Sequence, residues 1–240
     1  MIIFPAIDIK DGQCVRLIQG RAEDKTVYSN EPQAVAQSFV QKGAKWLHIV
    51  DLDGAFTGKP TNIEAIKTIA ENIDIPFQVG GGLRDLAGVE MLLGLGASRV
   101  IIGTKAVKNP DFIKELLDKF GAQRIVLGLD AKENMVATEG WVNTSPISAF
   151  DFGCQMKELG IEYAVYTDIS RDGLLQGPNF LATQNMTETG LKIIASGGVS
   201  SINDLLELKN MEESGVIGAI IGKAIYDGKI DLVEAIKISI

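Results

Sequence analysis

The feature that most constrains the fold of this chain is a series of short apolar runs, rich in Ile and Val, that recur along its whole length. The runs occupy residues 2 to 7, 46 to 50, 75 to 79, 99 to 102, 124 to 129, 163 to 167, 192 to 195 and 216 to 221. Eight is the number of strands in a (βα)8 barrel. Apolar residues between the runs recur at spacings of three and four, as in helices, for example over 32 to 43, 62 to 72 and 109 to 121. The alternation of strand and helix predicts an α/β fold with a parallel sheet.

An internal repeat favours a closed barrel over an open doubly wound sheet, which is also built from βαβ units. Four landmarks occur in the same order in both halves of the chain, at offsets of 116 to 122 residues. The pairs are Asp8 with Asp130, Gly58 with Gly177, Gly81 with Gly197, and Gly103 with Gly222. Two similar halves that close on each other form an eight-stranded barrel with an approximate two-fold axis. We therefore predict a single (βα)8 TIM barrel with a two-fold half-barrel repeat. Because no linker-like composition marks a break, we expect one domain over residues 1 to 240.

The charge balance restricts the partners of the chain. Its 31 acidic and 23 basic residues give a formal net charge of -8, which argues against a large basic surface for nucleic acid. A phosphate site must therefore be built locally, from backbone amides and a few basic side chains. No basic leader with an apolar segment opens the chain, and no stretch reaches the roughly 20 apolar residues of a membrane helix. We expect a soluble cytoplasmic protein with a small-molecule ligand and without a nucleic-acid or membrane partner.

Glycine-rich turns follow the predicted strands at equivalent places in the two halves. In a parallel barrel these turns all face one mouth. Glycine turns that lead into helix N-termini hold phosphate well through backbone N–H groups. One candidate cradle comprises Gly80, Gly81, Gly82, Gly103 and Thr104, and the other comprises Gly197, Gly198, Gly222 and Lys223, with Gly177 in the preceding loop. The alternative is that the glycines only permit tight turns. Arg84 either supports the first phosphate or caps a helix.

Asp8 ends the first predicted strand and Asp130 the fifth, so the repeat places them opposite each other across the mouth. A carboxylate at the end of an Ile-rich strand is costly unless it is solvated or paired, and functional pockets commonly tolerate that cost. Such a pair suits general acid/base catalysis, in which one carboxyl starts protonated and the other ionised. The alternative is a pair of helix-capping or salt-bridged aspartates. Thr167, at the end of the sixth strand, is placed to orient a catalytic carboxylate.

The remaining candidates have two interpretations each. The only histidine, His48, either faces the barrel interior as a binding group or has a structural role. Trp141, after the fifth strand, either stacks on a planar base or packs within its loop. One histidine and two isolated cysteines, Cys14 and Cys154, argue against a metal site, a Ser/His/Asp triad and a disulfide framework.

Long motifs resemble one known family from end to end. They are PAIDIKDGQCVRLIQG (5 to 20), TVYSNEP (26 to 32), WLHIVDLDGAFTGKPTN (46 to 62), VGGGLRD (79 to 85), RVIIGTKAVKNP (99 to 110), ATEGW (137 to 141), YTDISRDG (166 to 173) and IASGGVSS (194 to 201). These motifs are similar to the ProFAR isomerase family of histidine biosynthesis, the phosphoribosylformimino-aminoimidazole-carboxamide ribotide isomerases. The chain departs from the commoner DGTLSGPN pattern at Leu174 and Gln176, which affects the fine contacts of that loop.

The resemblance implies an Amadori rearrangement, which converts an aminoaldose into an aminoketose on a ribotide that carries two phosphates. It implies neither a cofactor nor a metal. By the same resemblance, Asp130 donates the proton that opens the ribose ring to a Schiff base, and Asp8 removes a proton from the adjacent sugar carbon. Thr167 matches the threonine that the family places beside the first aspartate. Substrate contacts are implied for Arg16, Arg84 and Trp141.

Three other functions are compatible with these features. The sister barrel, the cyclase subunit of imidazole glycerol phosphate synthase, shares the paired aspartates and doubled phosphate sites but acts with a glutaminase partner. The motifs ATEGW, TVYS and YTDISRDG favour the isomerase, for which we expect no obligate protein partner. Some relatives also isomerise phosphoribosylanthranilate. A non-catalytic phosphosugar-binding barrel is disfavoured because both aspartates are present at strand ends.

Overall fold

The computed structural model describes residues 1–18 and 21–239. The strands are β1 (Ile2–Lys10), β2 (Gln13–Ile18), β3 (Arg21–Ser29), β4 (Leu47–Asp51), β5 (Phe77–Gly80), β6 (Arg99–Ile102), β7 (Ile125–Lys132), β8 (Met135–Thr138), β9 (Asn143–Ser148), β10 (Tyr163–Asp168), β11 (Lys192–Ser196) and β12 (Val216–Ile221). The helices are α1 (Pro32–Gln41), α2 (Leu52–Thr57), α3 (Ile63–Glu71), α4 (Leu86–Gly94), α5 (Thr104–Lys108), α6 (Pro110–Phe120), α7 (Ala149–Glu158), α8 (Phe180–Thr187), α9 (Ile202–Asn210), α10 (Lys223–Tyr226) and α11 (Leu232–Ser239). Within these described ranges, no helix is long and apolar enough to cross a membrane.

Eight of the strands form a closed parallel barrel. Their order around the ring is β1, β4, β5, β6, β7, β10, β11 and β12, and β12 pairs with β1 to complete it. At least one helix follows each barrel strand before the next barrel strand begins. The predicted (βα)8 TIM barrel is therefore confirmed. The eight predicted strands agree with the observed bounds to within three residues.

Two antiparallel hairpins extend from the barrel at equivalent places in its two halves. β2 and β3 continue from β1, and β8 and β9 continue from β7. Each begins with a two-residue turn in which both residues have positive φ: Asp11 and Gly12 (52° and 73°), and Glu133 and Asn134 (52° and 65°). Turns of this kind match the twist of the paired strands. These four strands were not predicted from the sequence, and two of them, β2 and β8, supply residues to the mouth of the barrel.

The hydrophobic core has two parts. The larger lies between the sheet and the helices and includes Ile7 and Ile49, both fully buried. The smaller lies inside the barrel and includes Phe4 and Val126. Successive residues of a strand point to opposite faces of the sheet, so each strand contributes to both parts. Because apolar side chains fill the interior near the amino ends of the strands, open space is left at the carboxyl ends.

Candidate active site

One cavity of about 230 Å³ lies at the carboxyl ends of the barrel strands. Twelve of the predicted site residues line it, namely Asp8, Arg16, His48, Gly80, Gly81, Gly82, Arg84, Gly103, Thr104, Asp130, Trp141 and Thr167. A smaller recess of about 30 Å³ shares Arg16 with the cavity and is lined by four more, Gly197, Gly198, Gly222 and Lys223. Gly177 lines neither space, but its amide donates a hydrogen bond to the Gly198 carbonyl at 3.0 Å. The fold thus brings both candidate cradles and both aspartates to one mouth.

Asp8 and Arg16 form an ion pair in the cavity wall. Antiparallel pairing of β1 with β2 brings Asp8 Oδ2 to Arg16 Nη1. Burial disfavours the charged guanidinium, but the carboxylates of Asp8 and Asp172 raise the pKa of Arg16. The guanidinium also fills the space beside Gly222, where a Cβ would lie 1.1 Å from Arg16 Nη2. The first hairpin therefore holds a cation between the Asp8 carboxylate and the glycine turn of the second cradle.

Asp130 lies on β7 among neutral hydrogen-bond donors. Trp141 Nε1 donates to Asp130 Oδ2 at 2.9 Å, and the hydroxyl of Thr167, the register partner of Asp130 on β10, also acts to lower the pKa of that carboxyl. Burial raises the pKa of Asp130, and the two hydrogen bonds oppose that rise only in part. A raised pKa favours the protonated carboxyl. The two aspartates therefore differ, because Asp8 faces a guanidinium and Asp130 does not.

Asp172 is a further carboxyl in the cavity, beside Asp8, Asp130 and Glu139, and it was not singled out from the sequence. Burial is the main cause that raises the pKa of Asp172 to about 6; the charge of Arg16 opposes the rise, and the charges of Asp8 and Asp130 contribute to it. The repeat gave no signal for this residue, because at the 117-residue offset that relates Asp51 to Asp168 its counterpart in the first half is Ala55. Within residues 1–18 and 21–239, no three His, Cys, Asp or Glu side chains are grouped so that they could hold a metal ion.

The glycine turns of the two cradles contact equivalent backbone groups. A Cβ on Gly81 would lie 2.1 Å from the carbonyl oxygen of Asp51, and one on Gly197 would lie 2.8 Å from that of Asp168. Both glycines have positive φ, 111° and 89°. Glycine tolerates that conformation and leaves room for the approaching backbone. The fold itself therefore requires glycine at both turns, in addition to any role in binding phosphate.

Buried carboxylates anchor the loops against which these turns lie. Asp51 accepts hydrogen bonds from three backbone amides within residues 54 to 62 and from Asn62 Nδ2 at 2.7 Å. In the second half, Asp168 accepts one from Asn179 Nδ2, also at 2.7 Å. The sequence analysis did not assign either aspartate a role. The sequence pattern that could have identified them is an Asp followed 11 residues later by an Asn, which occurs in both halves.

His48 lines the cavity from β4, in agreement with the interpretation that it faces the barrel interior. Its Nδ1 lies 3.0 Å from the side-chain Nε2 of Gln78, the register partner on β5. Burial first, and the charge of Arg16 second, lower the pKa of His48 to about 3. The imidazole is therefore neutral near pH 7.

The other predicted polar binding residues are held by contacts at the two ends of the mouth. Arg84 reaches from the first cradle to α2, where its Nη2 donates to a backbone carbonyl at 3.4 Å. Thr104 Oγ1 accepts a hydrogen bond from the Glu139 amide at 2.9 Å, which ties the first cradle to the second hairpin. Lys223 pairs with Asp227 four residues later. Lys223 therefore contributes less positive charge to the recess than an isolated lysine would.

Fold and site together define a class of protein, a (βα)8 barrel with a carboxyl-containing cavity at the mouth where barrel enzymes carry out their chemistry. A family model described as "Histidine biosynthesis protein" matches residues 2–231. The chain belongs to that family. The resemblance seen in the sequence motifs is thereby confirmed.

Individual relatives match along the full length. A protein of Syntrophomonas wolfei is 69% identical over 238 residues, which are 99% of this chain and 98% of the relative. Relatives from Lachnoclostridium phytofermentans (99% of both chains) and Desulforamulus reducens (100% of this chain, 97% of the relative) are 53% and 51% identical. Each of the three is named a 1-(5-phosphoribosyl)-5-((5-phosphoribosylamino)methylideneamino) imidazole-4-carboxamide isomerase.

Proposed function

We propose that this protein catalyses the reaction for which its relatives are named, the Amadori rearrangement of the bis-phosphorylated ribotide ProFAR in histidine biosynthesis. The reaction converts an aminoaldose into an aminoketose. The observation that carries the proposal is a pair of carboxyls in one cavity with different partners, Asp8 beside Arg16 and Asp130 beside Trp141 and Thr167. Identities of 51 to 69% along the whole chain support it.

In this proposal Asp130 is the general acid. Burial raises its pKa, which favours the protonated form that an acid needs at the start of the cycle. Asp130 gives its proton to the ring oxygen of the ribose as the bond from C1 to that oxygen breaks. The lone pair of the attached nitrogen forms the new C1–N double bond, so the product is a protonated Schiff base. Trp141 and Thr167 hold the carboxyl in position through their hydrogen bonds.

Asp8 is the general base that follows. It removes the proton from C2, the electron pair of the C–H bond forms a C1–C2 double bond, and the C–N π pair returns to nitrogen. The resulting enaminol gains a proton at C1 and loses its hydroxyl proton, which completes the ketose. Arg16 orients the carboxylate through the ion pair on the neighbouring strand. A positioned acid or base of this kind contributes about 100-fold or more to the rate.

The two phosphates bind at the two ends of the mouth. Backbone N–H groups of glycine turns and nearby cations are suited to that charge. One end offers Gly81, Gly82, Gly103, Thr104 and Arg84, and the other offers Gly197, Gly198, Gly222 and Lys223, with Gly177 supporting the turn. Arg16, His48 and Trp141 contact the part of the substrate between them.

Asp172 is a second candidate for the acid. It lines the same cavity, and its pKa of about 6 keeps a larger protonated fraction near neutral pH than an ordinary aspartate has. If Asp172 delivers the proton in place of Asp130, Asp172→Asn lowers turnover as much as Asp8→Asn does, and Asp130→Asn has the smaller effect.

The test is a spectroscopic assay of the purified protein with ProFAR, without ammonia or a glutaminase and with phosphoribosylanthranilate run alongside. Asp8→Asn and Asp130→Asn should each lower turnover by about 100-fold or more and leave substrate affinity largely intact. Asp118→Asn, on the exposed side of α6, is the matched control and its turnover should be unchanged.

Near-normal turnover in either cavity variant contradicts the two-aspartate mechanism. A wild-type protein that does not convert ProFAR contradicts the proposed function; a need for ammonia points to a cyclase, and binding alone to a phosphosugar-binding barrel.

A further inference from the structure

Gln78 and His48 form a polar pair inside the barrel. Gln78 is wholly buried on β5 and pairs in register with His48 on one side and with Arg99 on the other. Its side-chain nitrogen Nε2 lies 3.0 Å from Nδ1 of the imidazole. An amide nitrogen donates and does not accept, so Nδ1 must accept in this contact and carry no proton. The proton of the neutral ring is then on Nε2.

The orientation of the Gln78 amide decides this assignment, because exchanging its oxygen and nitrogen would reverse the hydrogen bond. Two buried atoms lack a hydrogen-bond partner within the described residues, Gln78 Oε1 and Arg99 Nη1. One is an acceptor and the other a donor, and they belong to register-paired residues of β5 and β6. The exchanged orientation would place a second donor beside the guanidinium. The two atoms are not hydrogen-bonded to each other, and the charge of Arg99 favours the orientation in which Oε1 points toward it, with one water molecule as the bridge.

Arg99 is itself held in place by the floor of the barrel. Its guanidinium carbon lies 4.7 Å from the ring centre of Trp46 and 4.0 Å from that of Tyr163. Contacts of this kind immobilise a cation between aromatic faces. A fixed cation at the floor can thus set the direction of the Gln78 amide one strand away.

We propose that Gln78 is a positioning residue that holds His48 in the neutral tautomer with its proton on Nε2, so that the ring presents a hydrogen-bond donor to the ligand in the cavity. His48 lines the cavity, and the ring nitrogen that does not face Gln78 is the one a ligand can reach. Its partner must be an acceptor, such as a carbonyl, hydroxyl or ring oxygen. The contact between a ligand and His48 rests on the proposed function. The tautomer is a property of the protein without a ligand.

One charged group, Arg16, acts on His48, and carboxyls line the same cavity. Arg16 on β2 opposes protonation of the ring, and Asp8 on β1 and Asp130 on β7 line the same cavity. The low pKa of His48 means that the ring stays neutral between about pH 5 and 9. The tautomer should therefore stay constant over that range.

The chain has a single histidine, so ¹⁵N–¹H correlation spectra of the histidine-labelled full-length protein contain one imidazole and need no assignment. We expect a protonated Nε2 and an unprotonated Nδ1, unchanged between about pH 5 and 9. A protonated Nδ1, or rapid exchange between the two tautomers, overturns the proposal. This measurement requires no substrate, so its result does not depend on whether the protein turns over ProFAR.

Gln78→Glu provides the second test. A glutamate beside Arg99 is held as a carboxylate, which only accepts hydrogen bonds, so the proton should move to Nδ1 of His48. Gln37→Glu, on the exposed side of α1, adds the same charge outside the barrel and should leave the spectrum unchanged. With the proton on Nδ1 alone, we expect kcat/KM to fall by about tenfold, the value of one hydrogen bond. An unprotonated Nδ1 in Gln78→Glu, or full kcat/KM with the proton on Nδ1 alone, refutes the proposed role of Gln78.

Discussion

Replacing Asp172 by asparagine should stabilise the folded protein. Burial raises the pKa of Asp172 from 3.8 to about 6, although Arg16 opposes the rise. A raised pKa means that folding favours the protonated carboxyl over the carboxylate. At neutral pH Asp172 is ionised, so its charge destabilises the folded state. Asparagine has nearly the same shape and never ionises, so the variant avoids this cost.

The size of the effect follows from the same values. The pKa rises by about two pH units, and each unit corresponds to about 1.4 kcal/mol, which sets an upper limit of roughly 3 kcal/mol. Asp172 is only partly shielded from solvent, so we expect a gain of about 1 to 2 kcal/mol at about pH 8. The folded protein binds more protons than the unfolded chain between the two pKa values. The contribution of Asp172 to stability is therefore complete below about pH 4 and is lost as the pH rises through about 6.

Urea unfolding of the wild type and of Asp172→Asn, followed by circular dichroism, measures this difference. The variant should be more stable at about pH 8, and its advantage should vanish at about pH 4. Asp118→Asn on α6 controls for the general effect of removing one negative charge from an acidic protein. An advantage that is the same at both pH values, or a variant that is less stable at about pH 8, would refute the assignment of a buried, charged Asp172.

Two other substitutions test the cradle and the acid. Gly198→Ala should raise KM and cost about 1 to 2 kcal/mol of stability, because φ is 84° and its Cβ would lie 2.5 Å from the Gly177 carbonyl oxygen. Gly94→Ala, which meets nothing within 4 Å, is the control, and equal KM values in the two variants would contradict the cradle. Trp141→Phe removes a hydrogen bond that lowers the pKa of Asp130, so that pKa should rise. The loss of kcat with rising pH should then move to higher pH, and an unmoved profile would show that Asp130 is not the acid.

The barrel strands were predictable because their signal is local and repeated. Short Ile- and Val-rich runs at regular intervals allow few other arrangements. The hairpins were not predicted, although Asp11 and Gly12 form an Asp-Gly pair typical of two-residue hairpin turns. The second hairpin has a weaker signal, since its turn residues are Glu133 and Asn134. Both hairpins interrupt the strand–helix alternation, so the recurrence of apolar runs does not indicate them.

The candidate site residues also divide into those that the sequence predicts and those that it does not. Asp8 and Asp130 were found because the repeat matches them, and a repeat highlights what its halves share. Asp172 was missed for the converse reason, since Ala55 stands at its equivalent place. Gln78 was missed because it lies within an apolar run. Its role depends on its register partners on both neighbouring strands, His48 and Arg99, which the sequence does not reveal. The roles of these residues stay predictions until the variants above are measured.

The two-fold architecture explains why the aspartates on two equivalent strands have different surroundings. Each half extends a hairpin from the strand that carries its aspartate, and each hairpin brings one side chain back to that aspartate. The first brings Arg16, a cation, to Asp8, and the second brings Trp141, a neutral donor, to Asp130. A symmetric barrel therefore positions the pair, and the asymmetric hairpins give the two carboxyls different hydrogen-bonding partners. We therefore expect the side chains that the hairpins supply, Arg16 and Trp141, to decide which aspartate acts as acid and which as base. The barrel strands only position the two aspartates.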